Sequence, residues 1–304
     1  MTFSGAIEPG QHGKRALSYS DQVSLLQSRG LAVGLPDRAA EYLRVENYYH
    51  FSGYARQFQR DPRNGDNAFE SGCTFADIVA AMREDDRLKS WILPGLLIAE
   101  RAIRHSVAHH LAMAHGDAAF YLQPTFYSAA TKQGDDICDA IESRLRRSKH
   151  RGVRRYMQGQ DCTSVPIWVA VQELTYGNVA KLVTHAANRD PINQTAETFG
   201  FKRNQFPSIV ASFAYLRNSC AHHAQLWHRH NTSVSPLVIK NSDKRHHPRW
   251  GNHSLYPTLL ALESILRQIE LDPSGPGRAR LGEALSYLAR NGPNQPGFLD
   301  PSPR

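Results

Sequence analysis

Leu216-Arg217-Asn218-Ser219-Cys220-Ala221-His222-His223 lies inside a run, residues 206 to 229, whose apolar positions recur with a helical period. Phe213, Leu216, Cys220, Ala224 and Trp227 fall on one stripe at 3.6-residue spacing, which predicts a face turned towards a core. Tyr215, Asn218, His222, Gln225 and Arg229 recur three and four residues apart on roughly the opposite side. A helix that needed only solubility there would use Lys and Glu, which form helices more readily than Asn or His. An arginine, an amide and two adjacent histidines therefore make this stretch the first candidate for chemistry.

The same period runs outward in both directions. Ser20-Asp21 predicts the N-cap of a short helix ending near Arg29-Gly30. A second helix is expected from Pro36-Asp37, carrying Ala40, Leu43, Tyr48, Phe51 and Tyr54. Its aromatic cluster, residues 47 to 54, suits core packing or base stacking. Residues 60–73 read as a loop and the first candidate boundary. From Thr74, an N-cap, a long helical region reaches His115-Gly116, with a kink or a break expected at Pro94-Gly95. Its second half buries Leu96, Leu97, Ala99, Ile103, Val107 and Leu111.

Beyond an aromatic loop at 117–134 comes a basic helix with a break expected at Gly152. Another helix opens at Pro166-Ile167-Trp168 and ends near Tyr176-Gly177-Asn178; Val179 to Asn188 leads to a turn at Asp190-Pro191. After the central stretch, 231–253 is a basic loop containing Lys244, Arg245, His246, His247 and Arg249. Helices over Tyr256–Leu271 and Arg278–Asn291 follow, then a tail, 292–304, with four prolines. No alternating strand pattern, repeat or Gly-rich phosphate loop occurs. The fold class is all-α, with an N-terminal helical segment at 1–60, a core at 74–230 and C-terminal helices within 231–304.

Composition bounds the partners. The 304 residues are 41% hydrophobic and 21% charged, ordinary for a globular chain, with a net charge of +8. A pI near 9.4 favours a polyanion. Arg144, Arg146, Arg147, Lys149, Arg151, Arg154 and Arg155 fall within twelve positions, with Glu142 beside them. Such a run is either a solvated face or a track for a phosphate backbone, which relieves its self-repulsion. Cys73, Cys138, Cys162 and Cys220 have neither zinc-knuckle nor disulfide-framework spacing. No signal pattern or membrane-length apolar run occurs, so a cytoplasmic protein is expected.

Arg217 and His222 bracket four residues. Histidine shuttles a proton near neutral pH, and arginine is a permanent forked donor for a phosphate gaining charge in a transition state. RNA brings its own nucleophile, the 2′-hydroxyl, so this pair is a minimal kit for its cleavage without metal or cofactor. Five residues along a helix rotate by about 140°, so the two side chains do not share a face. Arg217 must reach round, the helix must distort, or a second chain must complete the site. The spacing is cheap, since Arg104 and His109 share it, and a merely structural histidine is the competing reading. His105 and His109 stand i, i+4, as metal pairs do, but Ser106 occupies the place of the metalloprotease glutamate and no third ligand is evident. Glu100 and Arg104 read as a surface pair worth ~0.3–0.5 kcal/mol.

The central stretch, with Leu226-Trp227-His228-Arg229 behind it, resembles the signature of the Abi-like (abortive infection) family of bacterial proteins within the HEPN superfamily. Arg29-Gly30-Leu31, Tyr42-Leu43, the 47–54 cluster, Asp86-Arg87-Leu88-Lys89, the helix of Glu100 to Arg104, and Pro166-Ile167-Trp168 to Gly177 agree in order, over roughly residues 22 to 270. The resemblance implies a HEPN-type helical bundle, a homodimer, and metal-independent endoribonuclease activity leaving a cyclic phosphate and a 5′-hydroxyl. It also implies a phage-defence or toxin-like role. By the same resemblance Arg217 stabilises the phosphate, His222 is the general acid/base, and Asn218 positions the phosphate or the imidazole. Glu100 and Arg104 support the site, and His223 is structural. The alternative is an RNA-binding protein that holds a small noncoding RNA, its active site silent or repressed.

Overall fold

The computed structural model describes residues 16–116, 119–128, 131–227 and 255–291. The 231–253 loop, the proline-rich tail, His228 and Arg229 lie outside the described residues. The chain is all-α, and it divides into two compact units, one up to Asp85 and one from Asp86.

The first unit holds α1 (Tyr19–Ser28), α2 (Pro36–Val45), α3 (Tyr48–Ala55), a hairpin of β1 (Gln59–Asp61) with β2 (Asp66–Phe69), and the start of α4 (Phe75–His115). Ser18, not Ser20, caps α1, its hydroxyl accepting from Asp21 N at 3.1 Å. The helix expected to carry both Leu43 and Tyr54 is two. Asn47 stops the first by capping the second, accepting from Tyr49 N at 2.7 Å. That split sorts the aromatic cluster: Phe51 and Tyr54 are buried, Tyr49 is exposed, and the Tyr54 hydroxyl donates to Asp85 Oδ2. The hairpin, in a stretch read as loop, escapes the period-2 test because its strands span three and four residues. Thr74 and Asp77 cap α4 reciprocally, Thr74 Oγ1 accepting from Asp77 N while Asp77 Oδ2 accepts from Thr74 N.

In the second unit, α4 runs unbroken to His115 with Pro94 inside it, so the break expected as one alternative at Pro94-Gly95 does not occur. Leu88, Ile92, Leu96, Ala99, Ile103, Val107 and Leu111 are its buried stripe, while Leu97 is exposed. Then come two 3-10 turns at 120–126, α5 (Thr131–Arg147), α6 (Arg151–Tyr156), α7 (Ile167–Glu173), α8 (Tyr176–His185), α9 (Asp190–Thr198), α10 (Phe206–Ala221), α11 (Tyr256–Ile269) and α12 (Pro276–Asn291). The basic helix breaks at Ser148–His150, and Gly152 lies inside α6 because the His150 ring caps its backbone N–H. Tyr176-Gly177-Asn178 opens a helix instead of ending one, because Thr175 and Asn178 form a capping box. Asp190-Pro191 likewise starts α9, where the proline's missing N–H costs nothing. Central α10 packs against α8 and α11.

Gly95 serves close packing. A Cβ there would stand 2.9 Å from Leu266 Cδ1 on α11, a fully buried side chain. Gly95→Val is expected to cost ~1–3 kcal/mol of overpacking, visible as a lower Tm. An unchanged Tm would show that Leu266 yields freely.

Candidate functional site

Glu100 and Arg104 sit one turn apart on α4, and both are nearly buried, their side chains 8% and 13% exposed. Arg104 Nε and Nη2 donate to Glu100 Oε1 at 2.9 and 2.5 Å. Its Nη1 donates to the carbonyls of Val171 and Leu174, both at 2.7 Å. Those oxygens are open because α7 stops at Glu173 and the Thr175 capping box begins α8. Arg104 thus satisfies the end of one helix from another, and its guanidinium lies 5.7 Å from the Tyr176 ring centroid. The surface pair expected from sequence is a buried one.

Arg217 reaches the same carboxylate from α10. Its Nε lies 2.8 Å from Glu100 Oε2, in ion-pair contact but off the line of a hydrogen bond, since neither atom has an aligned partner among the described residues. Its Nη1 donates to Asn218 Oδ1 at 3.0 Å. Glu100 is therefore held between two guanidiniums. Around them opens a cleft of about 430 Å³, also lined by Arg101, Arg144, Glu173 and Tyr176. Four guanidiniums face two carboxylates there, so the recess is cationic. Arg144 Nε is anchored on the Glu173 carbonyl at 2.8 Å. The Tyr176 hydroxyl is buried with no hydrogen-bond partner among the described residues. Burial first, then the Glu100 carboxylate, pushes its pKa far above the ordinary range, against the pull of Arg104 and Arg217, so it stays a neutral donor.

Helix α10 ends at Ala221, eight residues short of the run expected from its period. His222 is the C-cap and His223 follows at φ 54°. His223 N donates to Cys220 O at 3.4 Å and Ala224 N to Ser219 O at 2.9 Å, the paired bonds of a Schellman turn. Phe213, Leu216 and Cys220 are buried as the stripe required, whereas Ala224 and Trp227 lie past the helix and are half-buried. His222 and His223 are exposed, and neither side chain hydrogen-bonds among the described residues or lines the cleft. A C-cap residue still has its Cα close to the helical path, so ending the helix does not bring His222 to the face of Arg217.

Glycine usually occupies the position of His223, because an L side chain strains there by about 1 kcal/mol. His223→Gly is expected to leave stability unchanged or raise it by up to ~1 kcal/mol, and His223→Val to lower it by more than that. Thermal melting of both variants decides; a loss with Gly would show that the imidazole itself holds the turn.

Of the basic run, Arg144, Arg146 and Arg154 are tied to backbone. Arg146 pairs with Glu142 at 3.0 Å and donates to Gln160 O at 3.3 Å; Arg154 Nε donates to Ser148 O at 2.6 Å. Arg147, Lys149, Arg151 and Arg155 are exposed and make no hydrogen bond or ion pair among the described residues. His105 and His109 are exposed with near-parallel rings 6.4 Å apart. Among the described residues no three His, Cys, Asp or Glu side chains gather as a metal site would require.

Sequence reasoning missed Tyr176, Arg101 and the two carbonyls under Arg104. The signal that finds the carbonyls is the Thr175-x-x-Asn178 capping box, which breaks the helical run in front of it. A family model described as Abi-like protein matches residues 41–228, a span that includes Glu100, Arg104, Arg217 and His222. No curated protein and no solved structure matches the chain.

Proposed function

The chain belongs to the Abi-like protein family, whose model covers more than half of it, and on that premise we propose that it is a metal-independent endoribonuclease of the HEPN type. Its role would be abortive-infection defence against phage, or that of a toxin. The observation that carries the reading is Arg217, fixed by a carboxylate that Arg104 clamps in turn, at a cationic cleft five residues before a solvent-facing histidine.

In this reading the scissile phosphate enters the cleft and Arg217 takes its non-bridging oxygens, a forked contact that strengthens as the phosphorane gains charge. His222 removes the 2′-hydroxyl proton. The 2′-oxygen attacks phosphorus, the bond to the 5′-oxygen breaks, and a proton returns to that oxygen. The ends are a 2′,3′-cyclic phosphate and a 5′-hydroxyl. Asn218 orients Arg217; Glu100 and Arg104 act as positioning residues. Because His222 stands off the cleft of its own chain, a homodimer completes the site in this reading, each copy's histidine facing the partner's phosphate. Exposed Arg147, Lys149, Arg151 and Arg155 carry RNA beyond the cleft. No described helix is long and apolar enough to cross a membrane, and the proposal places the enzyme in the cytoplasm.

The test is incubation of purified protein with end-labelled RNA in EDTA. Fragments ending in cyclic phosphate support the proposal; cleavage that needs a divalent ion overturns it. A second reading is favoured by one observation, that Arg217 is already engaged by Glu100 and Asn218 while His222 lies apart. It is an RNA-binding protein holding a small noncoding RNA with its active site repressed. RNA would then co-purify, its binding would weaken with salt, and no fragments would form.

A further inference from the structure

Beside the cationic cleft, α4 and α7, which both contribute to it, form a second recess of about 310 Å³ with the opposite character. Its walls are His105, His109 and Met113 from α4 with Trp168, Val171 and Gln172 from α7. Gln172 lines both recesses. Along α4, Arg101 and Arg104 face the cleft, and on the next turns His105 and His109 face the groove. Trp168 is 43% exposed and Met113 75%, a large apolar surface for a soluble domain to leave open beside a patch of guanidiniums. His105 and His109 on one wall and Trp168 on the other give both walls of the groove aromatic rings.

We propose that this groove is a stacking subsite for the nucleobase next to the phosphate held in the cleft. The inference rests on the reading of the cleft as a phosphate site. A single RNA strand alternates charge and flat aromatic surface at each nucleotide, and here a charged recess adjoins an aromatic one. Stacking accepts any base, since every base has a π-face. Gln172, between the recesses, can offer a donor and an acceptor to the base edge. A paired duplex keeps its bases stacked inside and cannot fill the groove, so the subsite takes a splayed, unpaired base.

The experiment uses the full chain and a fluorescent 2′-O-methyl oligoribonucleotide, which lacks the nucleophile and so cannot be cut. A series carries one abasic residue at each position in turn. Wild type is expected to lose about tenfold in affinity when the abasic residue falls in the subsite. Trp168→Ala binds every member of the series with that same weakened affinity, Trp168→Phe keeps the discrimination, and Arg217→Ala weakens all members alike. Should Trp168→Ala fail to fold by circular dichroism, His105→Ala with His109→Ala, both exposed, takes its place. Wild-type affinity and discrimination in a folded Trp168→Ala overturn the subsite alone. A changed sedimentation coefficient with RNA binding intact overturns it in favour of a second copy of the chain covering the groove. No RNA binding by wild type overturns the cleft reading and the subsite with it.

Discussion

His222→Ala is expected to lower RNA cleavage by about 10²–10⁴-fold while leaving RNA affinity within a factor of two or so of wild type. A general acid/base acts in the transition state, so its removal falls on kcat and spares ground-state binding. The fold should not notice. His222 is exposed and its side chain has no hydrogen bond among the described residues, so nothing is left buried and unpaired, and the stability change stays within about ±0.5 kcal/mol. This makes His222→Ala a cleaner probe than Arg217→Ala, which takes a cation from Glu100 as well as from the phosphate. Single-turnover cleavage and filter binding on the same preparation read both quantities. Equal cleavage by wild type and His222→Ala would remove the histidine from the mechanism, and a parallel loss of binding would make it a contact instead.

Helix content and the core face of α10 were legible in sequence because both rest on the period of apolar residues, as Phe213, Leu216 and Cys220 show. Helix ends were less so. The end of α10 depends on two backbone bonds around His223, a residue with no strong preference for that role, and nothing in its pattern distinguishes residue 221 from 229. Pro94 pointed to a break that the helix does not make. Its cost is one backbone hydrogen bond and a local clash, and burial of the stripe from Leu88 to Leu111 on both sides of it outweighs that. At the site, sequence named Glu100, Arg104, Arg217 and His222 without being able to say which meet. Glu100, Glu142 and Glu263 each precede an arginine by four residues, and on paper the three pairs are identical. In the structure Arg267 is 62% exposed and Arg146 47%, whereas Arg104 is almost sealed. Burial is set by distant elements, here by where α7 happens to end, and no local spacing encodes it.

That contrast fixes the second large effect. Glu100→Ala leaves two guanidiniums facing each other with their shared carboxylate gone. Breaking a buried pair costs ~3–5 kcal/mol; Arg217 retains enough exposure to draw water, so the low end, about 3 kcal/mol, applies. For a domain of this size that lowers Tm by roughly 6–12 °C. Glu263→Ala, the same spacing at the surface, should move it by no more than a degree or two. Glu100→Gln separates support of the fold from positioning of Arg217. It keeps an acceptor for Arg104 and the side chain's volume, so most of the stability returns, but the amide no longer draws Arg217 electrostatically. If Glu100 positions Arg217 for catalysis, this variant folds near the wild-type temperature, binds RNA at least as well because the cleft has lost a negative charge, and cleaves with a lower kcat at unchanged KM. Full cleavage by a stably folded Glu100→Gln would leave the carboxylate a structural brace only. Wild-type melting of Glu100→Ala would show that Arg104 is held by the Val171 and Leu174 carbonyls alone, and that the charge cluster contributes little to either role.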